Sequence, residues 1–266
     1  MDERQVIFIV TKRCNFDCTY CPIIKEGVSM RFEVARDFLD EYSKENEKID
    51  LKFFGGEPLL EFDLVKEILS YVKLKFREFS FEICTNGFLL TLEMLDFFER
   101  ENFKFHISID GDRITQGYKF KDAVNIIDKV PELRRDFPIV NIVLSPKNIW
   151  DSYSNFVYLY QKGFRKFKLL PHFFTNWRED EFVEFEKQLS YIFSFIKEKG
   201  IYLDNFFIKE NRPLVNSGIV VDCKGVEFVD NGFLISDELV DNEVLGGMNE
   251  RLDRILGSFL DELRNV

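Results

Sequence analysis

The sequence predicts an α/β protein, a partial (β/α)6 barrel of parallel strands over residues 1–170 with a small C-terminal α+β extension over 171–266 packed on it. Three observations predict it. Six short runs rich in β-branched and aromatic residues alternate with longer segments of helical apolar period. Loops bearing glycine or polar residues punctuate the alternation. No low-complexity tract or Pro/Gly-rich linker interrupts the 266 residues, whose 45% hydrophobic content can fill a sizeable core.

The strand runs are expected at 6–10, 51–54, 81–84, 104–109, 139–144 and 166–169, with helical patterns near 31–46, 60–77, 91–100, 120–130 and 151–162. Successive βα units of this kind build a parallel sheet with helices outside, and ligands then sit at the carboxyl ends of the strands. In the extension, a charged helix is expected at 177–199 and a hairpin at 222–237 with Asp230-Asn231-Gly232 as its turn, before a terminal helix. The 31 Phe residues are spread along the chain and read as core and helix-face residues.

No apolar run approaches the ~18 residues of a membrane span. The first residues carry Asp2 and Glu3 and lack the pattern of a secretion signal, so a cytoplasmic protein without membrane partners is expected. A net charge of -11 disfavours nucleic acid as a partner, because binding to phosphates rests on Lys and Arg. Three of the five cysteines fall within eight positions, which points to metal or redox chemistry and not to a disulfide framework.

Those three, Cys14, Cys18 and Cys21, are spaced CxxxCxxC directly after the first strand. Three thiolates can hold three irons of a four-iron cluster and leave the fourth open to a small-molecule ligand. The alternatives are a zinc site, for which this loop supplies no fourth ligand, or three buried thiols. At the end of the second strand stands Gly55-Gly56-Glu57-Pro58, where paired glycines allow the backbone to come close to a ligand; a tight βα turn is the plainer reading of the pair alone.

With Cys84-Thr85-Asn86-Gly87 after strand three and Ser108-Ile109-Asp110-Gly111 after strand four, these motifs resemble the radical SAM superfamily over roughly residues 5–170. The resemblance implies a partial TIM-like barrel, a [4Fe-4S] cluster ligated by Cys14, Cys18 and Cys21, and S-adenosylmethionine on the open iron. It implies that Tyr20 packs beside the cluster and adenine, and that Gly55, Gly56, Glu57 and Pro58 line the methionine end. Thr85, Asn86, Ser108 and Asp110 map to contacts with methionine or ribose. Asn141 and Ser145 are added from the fifth strand, where a satisfied polar residue is an equal reading. The implied chemistry is reductive cleavage of S-adenosylmethionine to a 5'-deoxyadenosyl radical that abstracts hydrogen from substrate.

The motif forms look most like the branch that modifies peptides and proteins, which implies a peptide or protein substrate and a flavodoxin or ferredoxin as electron donor. A small-molecule or nucleoside substrate, or a non-catalytic iron-sulfur scaffold, are the alternatives. That branch usually carries a cysteine-rich extension with auxiliary clusters, but here only Cys223 is present and Ser236 stands where a second cysteine is expected. Cys223 therefore reads as a buried thiol or as a hydrogen-atom donor to a substrate radical. After Asp110-Gly111, relatives often carry a His-Asp and an Arg; this chain has Asp112-Arg113. His106 reads as a core histidine or a ligand contact, His172 as a residue at the ligand end of its strand, and the acidic run 179–186 as a solvated helix face.

Overall fold

The computed structural model describes residues 5–18, 21, 23–111, 126–173, 175–204, 218–229 and 243–264. In chain order the main elements are β1 (Val6–Thr11), α1 (Phe32–Tyr42), β2 (Lys48–Gly55), α2 (Phe62–Lys75), β3 (Glu78–Thr85), α3 (Leu92–Arg100) and β4 (Lys104–Ser108). Then follow β5 (Ile139–Leu144), α4 (Ser152–Gln161), β6 (Lys166–Pro171), α5 (Glu179–Lys199), β7 (Tyr202–Leu203), β8 (Ile219–Val221), β9 (Glu227–Val229) and α6 (Glu243–Arg264). All six expected strands form, and the mostly parallel sheet does not close, which is the partial barrel expected. The chain divides into two compact units, Met1–His106 with Val215–Leu234, and Ile107–Leu214 with Ile235–Val266.

In the first unit β3, β2, β1, β8 and β9 lie side by side, parallel except for the β8–β9 hairpin. Every residue of β1 is buried, as befits the middle of a parallel sheet. Beyond it, β2 alternates: Ile49, Leu51 and Phe53 are buried and join a phenylalanine core with Phe81, Phe98, Phe103 and Phe105. The opposite parity is polar. Lys52 lies in register with Glu82 and pairs with it at 2.7 Å, and the buried His106 places Nε2 3.5 Å from the same carboxylate. His106 is thus tied to a buried ion pair.

The hairpin turn among the described residues falls at 222–226. There the Asp222 carboxylate accepts from the backbone N–H of Lys224 and Val226, and Gly225 takes a positive φ of 84°. The turn expected at 230–232 and Ser236 lie outside the described residues, as does 112–125, which holds Arg113 and the start of the helix expected at 120–130. Its end, Ile126–Lys129, is a 3-10 turn.

In the second unit β5, β6 and β7 pair in parallel, and Phe156 of α4 packs on Phe167 of β6 at 4.5 Å. The acidic start of α5 is internally matched: Glu179 takes both guanidinium nitrogens of Arg251 at 2.6 and 2.7 Å, Asp180 and Glu181 pair with Arg178, and Glu184 pairs with Lys187. Among the described residues no helix is long and apolar enough to cross a membrane.

Candidate functional site

The cysteine loop begins where β1 ends. Thr11 is fully buried; its hydroxyl donates to the Val28 carbonyl and accepts from the Arg13 N–H, both at 3.1 Å. The amide of Lys12 also donates to Val28, and that of Met30 to Val10, so the loop leaves and rejoins the same strand end. Cys14, Cys18 and Cys21 are unbridged and half-exposed on it. Burial pushes the Cys14 thiol up, opposed by the Phe16 N–H, which donates to its sulfur at 3.4 Å. The side chain of Lys25 lies near enough for its charge to act on Cys14 and Cys21.

The Gly55-Gly56-Glu57 segment clasps this loop through the main chain. Gly56 N–H donates to the Thr11 carbonyl and Glu57 N–H to the Arg13 carbonyl, each at 2.8 Å. A Cβ on Gly55 would stand 2.2 Å from Thr11 O, and one on Gly56 2.1 Å from Arg13 O. Both glycines are therefore required by the approach of another stretch of protein backbone.

Glu57 is fully buried, and its carboxylate accepts from the Leu59 N–H at 3.0 Å, the Thr85 hydroxyl at 2.6 Å and the Asn86 N–H at 2.8 Å. Burial pushes this carboxyl up against the pull of those three donors. Thr85 also accepts from Gly87 N–H, and Pro58, buried with Leu59, opens the turn Pro58–Glu61. The ends of β2 and β3 are thereby fastened together through Glu57. Asn86 reaches further: its Nδ2 lies 2.9 Å from Asn15 Oδ1 and 3.9 Å from Cys14 Sγ. The structure thus brings together Cys14, Gly55, Gly56, Glu57, Thr85 and Asn86. Tyr20 lies outside the described residues.

Cys223 belongs to this unit as well. Its thiol is buried and donates to the Ile9 carbonyl of β1 at 3.0 Å, and burial, with the charge of Asp222, pushes it up to about 11.

The second unit holds the rest of the expected residues. Asp110 is buried and accepts from Val143 N–H at 3.0 Å; Ile109 N–H donates to the Asn141 carbonyl, and the Asn141 side chain is buried. Ser145 is buried, with its N–H and hydroxyl both on Asn148 Oδ1 at 2.7 and 3.1 Å. Ser108 remains half-exposed. Gly111 packs so closely that an added Cβ would lie 2.3 Å from the side chain of Asn155.

His172 donates its N–H to the Leu144 carbonyl and is half-buried; burial, then the charge of Lys147, pushes its imidazole from 6.5 down to about 4. Folding therefore favours the neutral ring. The stability this contributes is whole above the ordinary value and is lost as pH falls from 6.5 through about 4. Relative to the parent, His172→Asn is expected to gain about 2 kcal/mol on going from pH 7 to pH 5, read from urea midpoints; identical pH dependence of the two proteins counts against it.

Several residues of the site carry no motif signal. Thr11 and Asn148 act through turn hydrogen bonds, for which Thr and Asn in strand-end loops are the available sign. Lys25 and Asn15 meet Cys14 only through the fold of the loop.

The donor set fits an iron-sulfur cluster: three thiols outside any disulfide share one loop whose position is fixed by backbone bonds at both ends. Among the described residues, no three Cys, His, Asp or Glu side chains converge closely enough to hold a single metal ion, whereas a cluster spaces its thiolates around several irons.

Comparison with known proteins agrees. The family model of the Radical SAM superfamily matches residues 8–157. The serine-type anaerobic sulfatase-maturating enzyme of Bacteroides thetaiotaomicron is 32% identical over 111 residues, 37% of this chain and 27% of that protein. A probable GTP 3',8-cyclase of Archaeoglobus fulgidus is 34% identical over 134 residues, 47% of this chain and 43% of that one. The solved structure described as native anSMEcpe with bound AdoMet and Kp18Cys peptide superposes with a TM-score of 0.72 at 17% identity, covering 87% of this chain and 75% of that chain. The chain spans less than half the length of the curated relatives it matches. With the cysteine loop, its glycine clasp and a family match over most of the barrel, the chain belongs to the radical SAM superfamily, whose members are iron-sulfur enzymes that use S-adenosylmethionine.

Proposed function

We propose that this protein is a radical SAM enzyme that acts on a peptide or protein, at a side chain or an α-carbon, with Cys14, Cys18 and Cys21 as the cluster ligands. The observation that carries it is the set of three unbridged thiols on a loop clamped to the Gly55-Gly56-Glu57 backbone. When bound, the cluster and S-adenosylmethionine supply a 5'-deoxyadenosyl radical that takes a hydrogen atom from substrate.

The chain's own residues hold and shape the site. Backbone groups of Gly55, Gly56 and Pro58 line the methionine end, while Glu57 and Thr85, whose side chains are engaged within the protein, keep that backbone in place. In the second unit Ser108 and Asp110 are assigned to methionine or ribose, and Asn141 and Ser145 are further candidate contacts; Asp110 and Ser145 also order the backbone around them. Cys223 is a packing thiol, given its bond to the Ile9 carbonyl.

A peptide substrate is supported by the kinship with a sulfatase-maturating enzyme and by the fold shared with an enzyme crystallised with a peptide. A nucleotide or other small molecule is the second reading, favoured by kinship with the GTP cyclase and by the single cysteine beyond residue 84. An auxiliary cluster needs more thiolates than Cys223 provides. Electrons come from a flavodoxin or ferredoxin.

The test is anaerobic reconstitution, with 5'-deoxyadenosine assayed under a strong reductant and mass spectra taken of small peptides encoded beside the gene after co-expression. Formation of 5'-deoxyadenosine with a mass or stereochemical change in a peptide is the expected result. Turnover that leaves every peptide unchanged supports the small-molecule reading, and a loaded cluster that never cleaves the cofactor points to a scaffold. Solvent deuterium entering a product and vanishing in Cys223→Ala would overturn the packing role of that thiol.

A further inference from the structure

Two N–H groups address the sulfur of Cys14. One is the backbone amide of Phe16 at 3.4 Å, within the loop; the other is the side-chain amide of Asn86 at 3.9 Å, from the end of β3. Asn86 is held on three sides for this task. Its backbone N–H donates to Glu57 Oε2 at 2.8 Å, its Oδ1 accepts from Phe88 N–H at 3.0 Å, and its Nδ2 donates to Asn15 Oδ1 at 2.9 Å. With one amide hydrogen on Asn15 and the oxygen on Phe88, the amide plane is set, and the second hydrogen is available to the sulfur.

We infer that Asn86 is a positioning residue for the cluster, donating to the Cys14 thiolate and raising the potential at which the cluster accepts its electron. The inference rests on Cys14 being a ligand. Its physical basis is the charge difference between the two oxidation states. Reduction adds one negative charge, part of which resides on the ligand sulfurs, so a donor aimed at one of them stabilises the reduced state more than the oxidised one. Glu57 contributes at one remove, through the Asn86 backbone, and Asn15 by fixing the plane of the amide.

The experiment is an EPR-monitored redox titration of the reconstituted protein beside Asn86→Ala, Asn86→Asp and Asn15→Ala, with iron and sulfide measured in each. Asn86→Ala is expected to make reduction about tenfold less favourable, a midpoint about 59 mV lower for one electron. Asn86→Asp preserves an oxygen for Phe88 N–H but sets a negative charge against the sulfur, so its midpoint falls further. Asn15→Ala leaves Asn86 and its turn in place and removes the oxygen that orients its amide at 2.9 Å, an oxygen that also lies 4.0 Å from Cys14 Sγ; its shift is smaller and of the same sign.

An unchanged midpoint in a fully loaded Asn86→Ala overturns the inference. If that variant fails to load, Asn15→Ala decides, and an unchanged midpoint there overturns it equally. Full loading of Cys14→Ala is a different result: it refutes the ligand assignment itself, and iron analysis shows it before any potential is read.

Discussion

Replacing Cys18 by alanine is expected to yield a folded protein that takes up too little iron for a four-iron cluster and forms no measurable 5'-deoxyadenosine. Cys18 is half-exposed and on a loop, so its loss removes little packing. Its chemical cost is large: disturbing groups behind a metal ligand costs about 10–100-fold in affinity or activity, and removing a ligand costs more. The same result is expected at Cys14 and Cys21. Cys84→Ala and Cys223→Ala should load normally. The Cys223 change forfeits one buried hydrogen bond, worth about 1 kcal/mol. Iron and sulfide analysis with thermal unfolding of all five variants checks the contrast, and full iron in Cys18→Ala would contradict the assignment.

Gly56→Ala should come close in severity, by another route. The new methyl would lie 2.1 Å from the Arg13 carbonyl oxygen and 2.6 Å from its carbon, distances that only backbone movement can relieve. Moving either strand of the clasp breaks the bonds from Gly56 to Thr11 and from Glu57 to Arg13. Two net hydrogen bonds at about 1 kcal/mol each, with strain added, give an expected loss of about 3 kcal/mol, near the upper range for single changes. Iron content should fall with it. Gly27→Ala, on the same loop but with nothing within 4 Å of the added Cβ, should be close to neutral. Urea midpoints and iron content of the pair test this, and equal behaviour would refute it.

The barrel strands and the cysteine spacing were legible in the sequence because each depends on residues close together in the chain. The run at 6–10 is apolar throughout and appears as a fully buried strand. The strand expected at 51–54 begins three residues earlier, at Lys48, since Lys48 and Asp50 lie on its polar face and break no apolar pattern. The early turn at Asp222 was masked by the stronger Asp-Asn-Gly signal downstream. Gly55-Gly56 was legible as a point of close approach, but the partner expected there was a ligand, and what approaches the positions of the missing side chains is main chain from 11 and 13. Likewise the Asn86 contact with Cys14 joins residues 72 positions apart, and no local pattern encodes it.

The clasp has one more consequence, for how the protein can vary. From positions 11 and 13 it uses only carbonyls, which every amino acid supplies, whereas at 55 and 56 it tolerates no side chain at all. The tolerance of the joint is one-sided. Arg13 can change its side chain at the expense only of its ion pair with Glu61, while the opposite partner stays frozen.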